Sequence, residues 1–266
     1  MRIVWYGVSP QESATRTDPR RQDARAVTDD RQMPTRDLTQ SLDTDATVYP
    51  GDPEVESSPA ATHESDGYRV TELRLGTHSG THIDAPSHTE PDGKNLDAFD
   101  IESFAFDARV VDCSESGARE PIGVDAVPDY ESKESRANGE RNENSEIEML
   151  VFRTGWDAHW GTDRYLDHPY LTADAAAACA DRGWHVGLDA LSPDPSPSET
   201  GVESASESNE GEPAGVPAHR ELLGSDRFVV ENLTGLGDLP ERFELRAYPL
   251  ALAAADGSPV RAVATW

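Results

Sequence analysis

The 266-residue sequence predicts an α/β domain of α+β-like character, a mixed sheet carrying few helices. Three observations point there. Short β-branched and aromatic runs recur along the chain, one helix has clear start and stop signals, and no internal repeat is present. The first strand-like text is Thr35–Leu42. Further strand candidates are Tyr68–Leu75, Ala108–Asp112, Glu148–Arg153, His185–Asp189, Phe228–Glu231, Phe243–Tyr248 and Val260–Thr265. The helix takes Thr172 as its N-cap, Asp174 in its first turn, an alanine-rich body from Ala175 to Ala180, and Gly183 as its stop. Its small side chains predict close packing against the sheet.

Composition and charge set the organisation. The chain carries 51 Asp and Glu against 23 Lys and Arg, a formal net charge of -28. Lys94 and Lys133 are the only lysines. Such a surface repels phosphate, so nucleic acid and anionic membranes are excluded as partners. It also suits a salty medium, where screening relieves the self-repulsion of carboxylates, and a halophilic source is expected. Two cysteines, Cys113 and Cys179, are too few for a disulfide framework or a thiolate zinc site. No apolar run approaches the roughly 20 residues of a membrane helix, and a cytoplasmic protein is expected.

Charge also divides the chain. Residues 1–33 hold six arginines and five acids without hydrophobic periodicity, which reads as a disordered tail or as an upstream start with Met33 the true one. Residues 34–266 form the expected single domain, interrupted by two acidic insertions. Residues 114–146 hold nine acids and four bases, and residues 192–218 hold six acids and no base. Both read as solvated loops, because they offer too little apolar surface to offset their ordering entropy.

The chemistry concentrates in residues 76–88, Gly-Thr-His-Ser-Gly-Thr-His-Ile-Asp-Ala-Pro-Ser-His. Of only eight histidines in the chain, three fall here. In an extended conformation His78, Gly80, His82 and Asp84 share one face. Two imidazoles and a carboxylate on one face make half a shell for Zn²⁺ or Mn²⁺. His219 and Glu231 are candidates for the other half. Glu231 ends an apolar strand, a costly place for a carboxylate unless a cation compensates it. His63, His159, His168 and His185 lack such context and read as surface or packing residues. Asp189 is read either as a residue orienting a ligand histidine or as a turn residue. Tyr49, Trp156 and Trp160 could stack on a planar substrate, with packing as the alternative for both tryptophans.

These residues resemble the cyclase family, which includes bacterial kynurenine formamidases and isatin hydrolases. The resemblance rests on His-Ser-Gly-Thr-His-Ile-Asp-Ala-Pro-Ser-His, with supporting lines at Asp37-Leu-Thr-Gln, Tyr49-Pro-Gly-Asp52, Phe152-Arg-Thr-Gly-Trp156, Val186-Gly-Leu-Asp189-Ala-Leu-Ser192, Ala218-His219 and Glu231-Asn-Leu. It runs from about residue 35 to the C-terminus, outside the acidic insertions. It implies a swivelling β/β/α fold and a homodimer or homotetramer. It implies one or two zinc or manganese ions held by His78, His82, Asp84, His219 and Glu231, with His88 as the acid/base histidine. The implied reaction is hydrolysis of a non-peptide C–N amide bond of a small molecule, N-formylkynurenine to kynurenine and formate. In it a divalent cation makes hydroxide available at neutral pH, His88 moves the proton, and Glu231 shares the base role. A cyclic amide such as isatin is the alternative substrate. A metal-stabilised acidic binding protein without catalysis is the alternative of another class. Tyr49 stands where kynurenine formamidases typically carry Trp, a change in the aromatic wall of the expected pocket, where Trp156 is the second candidate.

Overall fold

The computed structural model describes residues 33–128, 147–197 and 211–266. The expected tail, apart from Met33, and the centres of both expected insertions lie outside these residues. In chain order the strands are β1 (Thr35–Asp37), β2 (Glu56–Ala61), β3 (Val70–Arg74), β4 (His82–Asp84), β5 (Ala105–Asp112), β6 (Pro121–Ile122) and β7 (Met149–Arg153). They continue with β8 (Tyr170–Leu171), β9 (His185–Leu188), β10 (Val229–Glu231), β11 (Arg242–Arg246), β12 (Gly257–Pro259) and β13 (Val263–Thr265). Three α-helices accompany them among the described residues: the single turn α1 (His63–Asp66), α2 (Ala173–Arg182) and α3 (Pro217–Leu223).

Nine strands form one mixed sheet in the order β1-β13-β11-β5-β7-β9-β10-β4-β12. Its centre, β5-β7-β9-β10, is parallel. Antiparallel strands flank the centre on both sides, β11 against β5 and β4 against β10. The expected α/β class with a mixed sheet and few helices is therefore what the chain adopts. Central strands covered on both faces read as continuous apolar runs, and Met149-Leu150-Val151-Phe152 shows how they sort. Leu150 and Phe152 join the cluster under the helices, with Ala175, Ala176, Cys179, Leu222 and Leu223. Met149 and Val151 join the opposite cluster with Ile83, Phe106, Phe228 and Val230.

The helix α2 forms where its signals place it. The Thr172 side chain accepts from the Ala175 amide at 3.2 Å, and Gly183 closes the helix at φ 82°. The helix α3 was not foreseen. It has only seven residues, and its signal is Pro217 in the first turn, inside what reads as an acidic loop.

The described ends of both acidic stretches belong to the fold. Residues 114–128 contain β6 and the buried Ile122 and Val127. Ser192, Asp194 and Ser196 are each at most 2% exposed. Arg119 clasps Glu212 through two bonds of 2.6 and 2.5 Å and also donates to the Ser196 carbonyl. Charge density misled here, because these polar groups satisfy one another inside the fold. Among the described residues no helix is long and apolar enough to cross a membrane.

Candidate metal centre

The strand β4 is the foundation of the site. It pairs with β10 so that His82 lies opposite Glu231 and Asp84 opposite Val229. Ile83 points into the cluster away from the helices, so His82 and Asp84 face the helix side. Val229 belongs to the helix-side cluster, and Glu231, two residues on, shares its face. His219 arrives from α3 above them.

The five side chains converge. His82 Nε2 lies 3.2 Å from both Asp84 Oδ1 and Glu231 Oε2. His219 Nε2 lies 3.1 Å from Glu231 Oε1 and 3.6 Å from Asp84 Oδ2. His78 Nδ1 lies 2.7 Å from Asp84 Oδ1. Only His78 departs from the expected geometry. Extended backbone begins at His82, and Gly80 turns the chain at φ +64°, so His78 reaches the group through a turn and not by strand alternation.

Two groups of donor atoms close enough to hold an ion share Asp84: His78, His82 and Asp84, and Asp84, His219 and Glu231. The donors fit a divalent cation. Ligands about 2.1 Å from one ion stand roughly 3.0–3.4 Å apart, close to the spacings here. Asp84 Oδ2 and Glu231 Oε1 are buried without a hydrogen-bond partner, a costly state that coordination would relieve. The tautomers also fit. His82 Nδ1–H donates to the Gly80 carbonyl at 2.8 Å. His219 Nδ1–H donates to Asp194 Oδ2 at 2.7 Å. Both rings therefore turn Nε2 towards the centre as the atom available to a cation.

The electrostatics are those of a paired, buried cluster. Burial opposes protonation of His82, but Asp84 and Glu231 outweigh it and hold its pKa well above the ordinary imidazole value. Burial likewise opposes protonation of His219, which Asp194, Asp84 and Glu231 overcome. Burial would raise Asp84, yet the surrounding histidines keep it well below the usual carboxylate range. A cation held by these residues would compete with the protons that the histidines hold.

His88 stands beside this group and not in it. It ends the 3-10 turn Pro86–His88, its ring packs at a tilt against His78 with centroids 3.9 Å apart, and the His219 ring is 5.6 Å away. Burial pushes its pKa below the ordinary imidazole value, with Asp84 opposing, so the ring is neutral at pH 7 and able to accept a proton. A cavity of about 190 Å³ opens over the cluster. It is lined by His78, His82, His88, His219 and Glu231, and walled by Tyr49, Asp52, Leu191, Ser192 and Val216.

Trp156 is not brought to this cavity. It is 5% exposed in the helix-side core, with its indole N–H donating to the Arg164 carbonyl at 3.2 Å. Its role is packing, and Trp160 likewise packs edge-on against Tyr165. Asp189 orients no histidine. It accepts from the Thr154 amide and hydroxyl and the Gly155 amide at 2.7, 2.6 and 2.9 Å, while burial pushes its pKa up to about 6.

Sequence reasoning missed Asp194 and Asn232. Asp194 accepts from the Ala218 and His219 amides at 2.8 and 3.0 Å as well as from the His219 ring. Asn232, at φ 57°, donates to the Gly80 carbonyl at 2.9 Å and accepts from the Tyr165 hydroxyl. It thus steadies the same carbonyl that orients His82. The signal for Asn232 was its place directly after Glu231.

Comparison with known proteins gives the same picture. A kynurenine formamidase of Bacillus mycoides is 30% identical over 230 residues, covering 85% of this chain and 95% of that protein. A kynurenine formamidase of Salinibacter ruber is 32% identical over 234 residues, with the same coverage of both chains. Among solved structures, an isatin hydrolase bound to the product analogue thioisatinate superposes with a TM-score of 0.69 at 25% identity, over 87% of this chain and 92% of that one. Isatin hydrolase A from Labrenzia aggregata, at 22% identity over 88% of this chain and 93% of its own, has the same fold with a TM-score of 0.69. A sequence model of the Cyclase family matches residues 36–195, and the chain belongs to that family.

Proposed function

We propose that this protein is a metal-dependent hydrolase of non-peptide C–N amide bonds whose substrate is N-formylkynurenine, giving kynurenine and formate. The observation that carries the reading is the convergence of His78, His82, Asp84, His219 and Glu231 in two adjoining donor groups that share Asp84, with a neutral His88 beside them at the floor of a cavity. The similarity to named kynurenine formamidases over 85% of the chain supports the substrate. The metal is zinc or manganese, since imidazole and carboxylate ligands suit both. Up to two ions per subunit fit, because Asp84 turns Oδ1 to one group and Oδ2 to the other.

A divalent cation bound here supplies a Lewis acid that polarises a carbonyl and brings the pKa of water to about 7. The chain's own residues do the rest. His82 and His219 are held with their nitrogens aimed inward by Gly80 and Asp194. Leu191, Val216 and Tyr49 wall the cavity around the amide. His88 Nδ1 or Nε2 takes a proton and returns it to the departing nitrogen. Glu231, buried beside His82 and His219, would share the base role if only one of its oxygens held the ion.

A second substrate, the cyclic amide isatin, is favoured by the fold shared with isatin hydrolases and by a small cavity with Tyr49 as its aromatic wall. A homodimer or homotetramer belongs to the same reading. It is supported by the β2–β3 hairpin, which pairs outside the main sheet and exposes Tyr68, Val70 and Leu73. The test loads protein with zinc or manganese in molar salt and assays N-formylkynurenine and isatin. Formamide turnover abolished by chelation is expected. His88→Ala should keep its metal and lose kcat by about 10²–10⁴-fold. Metal-replete protein that hydrolyses neither compound overturns the reading in favour of a metal-stabilised binding protein.

A further inference from the structure

Asp256 stands immediately before β12, at the sheet edge that pairs with β4. Nothing in its local sequence, Ala-Asp-Gly-Ser-Pro, marks it as more than a turn residue. Its surroundings say otherwise. Its carbonyl accepts from the Ala85 amide at 2.8 Å, which pins the backbone beside the end of β4. Its Oδ1 accepts from the Thr77 hydroxyl at 3.1 Å. Its Oδ2 lies 3.3 Å from His78 Nε2 and 3.8 Å from His88 Nδ1. The first distance is that of a hydrogen bond, and the second is an electrostatic contact only. One carboxylate thus faces the outer nitrogen of an inward-turned histidine and the inner face of the acid/base histidine. Those two rings pack against each other at a tilt of 37°, with centroids 3.9 Å apart.

The neighbouring Gly257 completes the cradle. A Cβ at that position would stand 2.5 Å from His78 Cε1 and 2.9 Å from Nδ1, so the His78 ring lies flat against bare backbone. Of the two nitrogens of His78, Nδ1 points at Asp84 and Nε2 at Asp256.

We propose that Asp256 is a positioning residue serving two histidines at once. It holds the His78 proton on Nε2 so that Nδ1 is bare towards the metal centre, and its carboxylate faces His88 Nδ1 and so keeps that ring beside His78. The inference rests on the metal-centre reading but not on any particular substrate. Removal of the carboxylate frees His78 to take the other tautomer and lets His88 swing away, so both metal affinity and the chemical step suffer. His82 and His219 already have their own anchors in Gly80 and Asp194. Asp256 fills the same place for His78, which has no other anchor on Nε2 among the described residues.

The test compares wild type with Asp256→Ala, Asp256→Asn and Asp256→Glu in molar salt. Zinc affinity is read by competition with a chromophoric chelator, and the His78 tautomer by long-range ¹H–¹⁵N correlation on histidine-labelled protein, metal-free and zinc-loaded. Asp256→Ala and Asp256→Asn should bind zinc about 10–100-fold more weakly, lose the Nε2–H signal of His78 and lower kcat more than they raise KM. Asp256→Glu should restore part of each. Unchanged zinc affinity and an unchanged tautomer in Asp256→Ala overturn the proposal. Neither readout needs a substrate, so failure to hydrolyse N-formylkynurenine would count against the proposed activity alone.

Discussion

Asp194 illustrates what a single side chain does in this site. Its carboxylate accepts three hydrogen bonds, two from the start of α3 and one from His219 Nδ1. It therefore sets both the place and the tautomer of His219 while remaining outside the cavity. Asp194→Asn keeps the shape but offers one acceptor atom instead of two, so His219 loses its fixed proton. Metal affinity should fall about 10–100-fold while the helical and sheet content is retained, checked by chelator competition alongside circular dichroism. Equal affinity in the two proteins would remove Asp194 from the site's support. At this scale the sequence was legible only in part. His82 and Asp84 could be read from strand alternation, and Glu231 from the cost of a carboxylate at the end of an apolar strand. Asp194 was hidden by its acid-rich neighbourhood, where one more carboxylate carries no signal. Trp156 misled because an indole that packs and an indole that stacks on substrate look alike in one dimension.

Among the elements, the pairing of β9 with β10 depends on a titratable ring. His185 Nδ1 accepts from the Phe228 amide at 2.7 Å, and the ring stacks on Phe228 with centroids 4.9 Å apart. Burial, aided by Arg227, pushes its pKa down to about 3. The folded protein holds this histidine neutral, whereas the unfolded chain protonates it below its ordinary value near 6.5. Its contribution to stability is therefore complete above about pH 6.5 and is lost as pH falls towards 3. At pH 5 the loss amounts to roughly 2 kcal/mol. Urea unfolding at pH 7 and pH 5 should show this loss in wild type. His185→Gln, which keeps an acceptor but does not titrate, should lose less between the two pH values. Equal losses would assign the acid sensitivity elsewhere. Strands of this kind were legible because β-branched runs bounded by turns announce themselves, and β5, β7, β9, β10, β11 and β13 fall within or close to the expected runs. The strands β2 and β12 and the helix α3 were not, since Glu-Ser-Ser-Pro-Ala-Ala and Gly-Ser-Pro hold no β-branched or aromatic residue and α3 has only seven residues. What places them is contact with distant segments and not local preference.

Over the whole molecule, the net charge of -28 acts through distance and salt. Screening reaches about 3 Å at 1 M salt and about 30 Å at 0.01 M. Dialysis from molar to millimolar salt should therefore lower the thermal unfolding midpoint steeply, followed by circular dichroism. A midpoint indifferent to salt would remove the case for salt adaptation. The acid excess is not spread evenly in its roles. Asp84, Glu231, Asp194 and Asp256 face histidines, and Glu212 clasps Arg119, while exposed carboxylates such as Glu102 and Asp125 meet only solvent screening.

The cavity joins two kinds of architecture. Its reactive floor stands mostly on β4, β10 and α3, bound into the sheet and its helical cover. Its walls, Tyr49, Asp52, Leu191, Ser192 and Val216, lie outside the strands and helices. On the proposed function, chemistry and selectivity are thus carried by separate parts of the chain, the first held in register by the sheet and the second free to diverge. A lineage built on this plan can exchange one small amide for another by rewriting a few connecting residues, with the hydrolytic apparatus inherited unchanged.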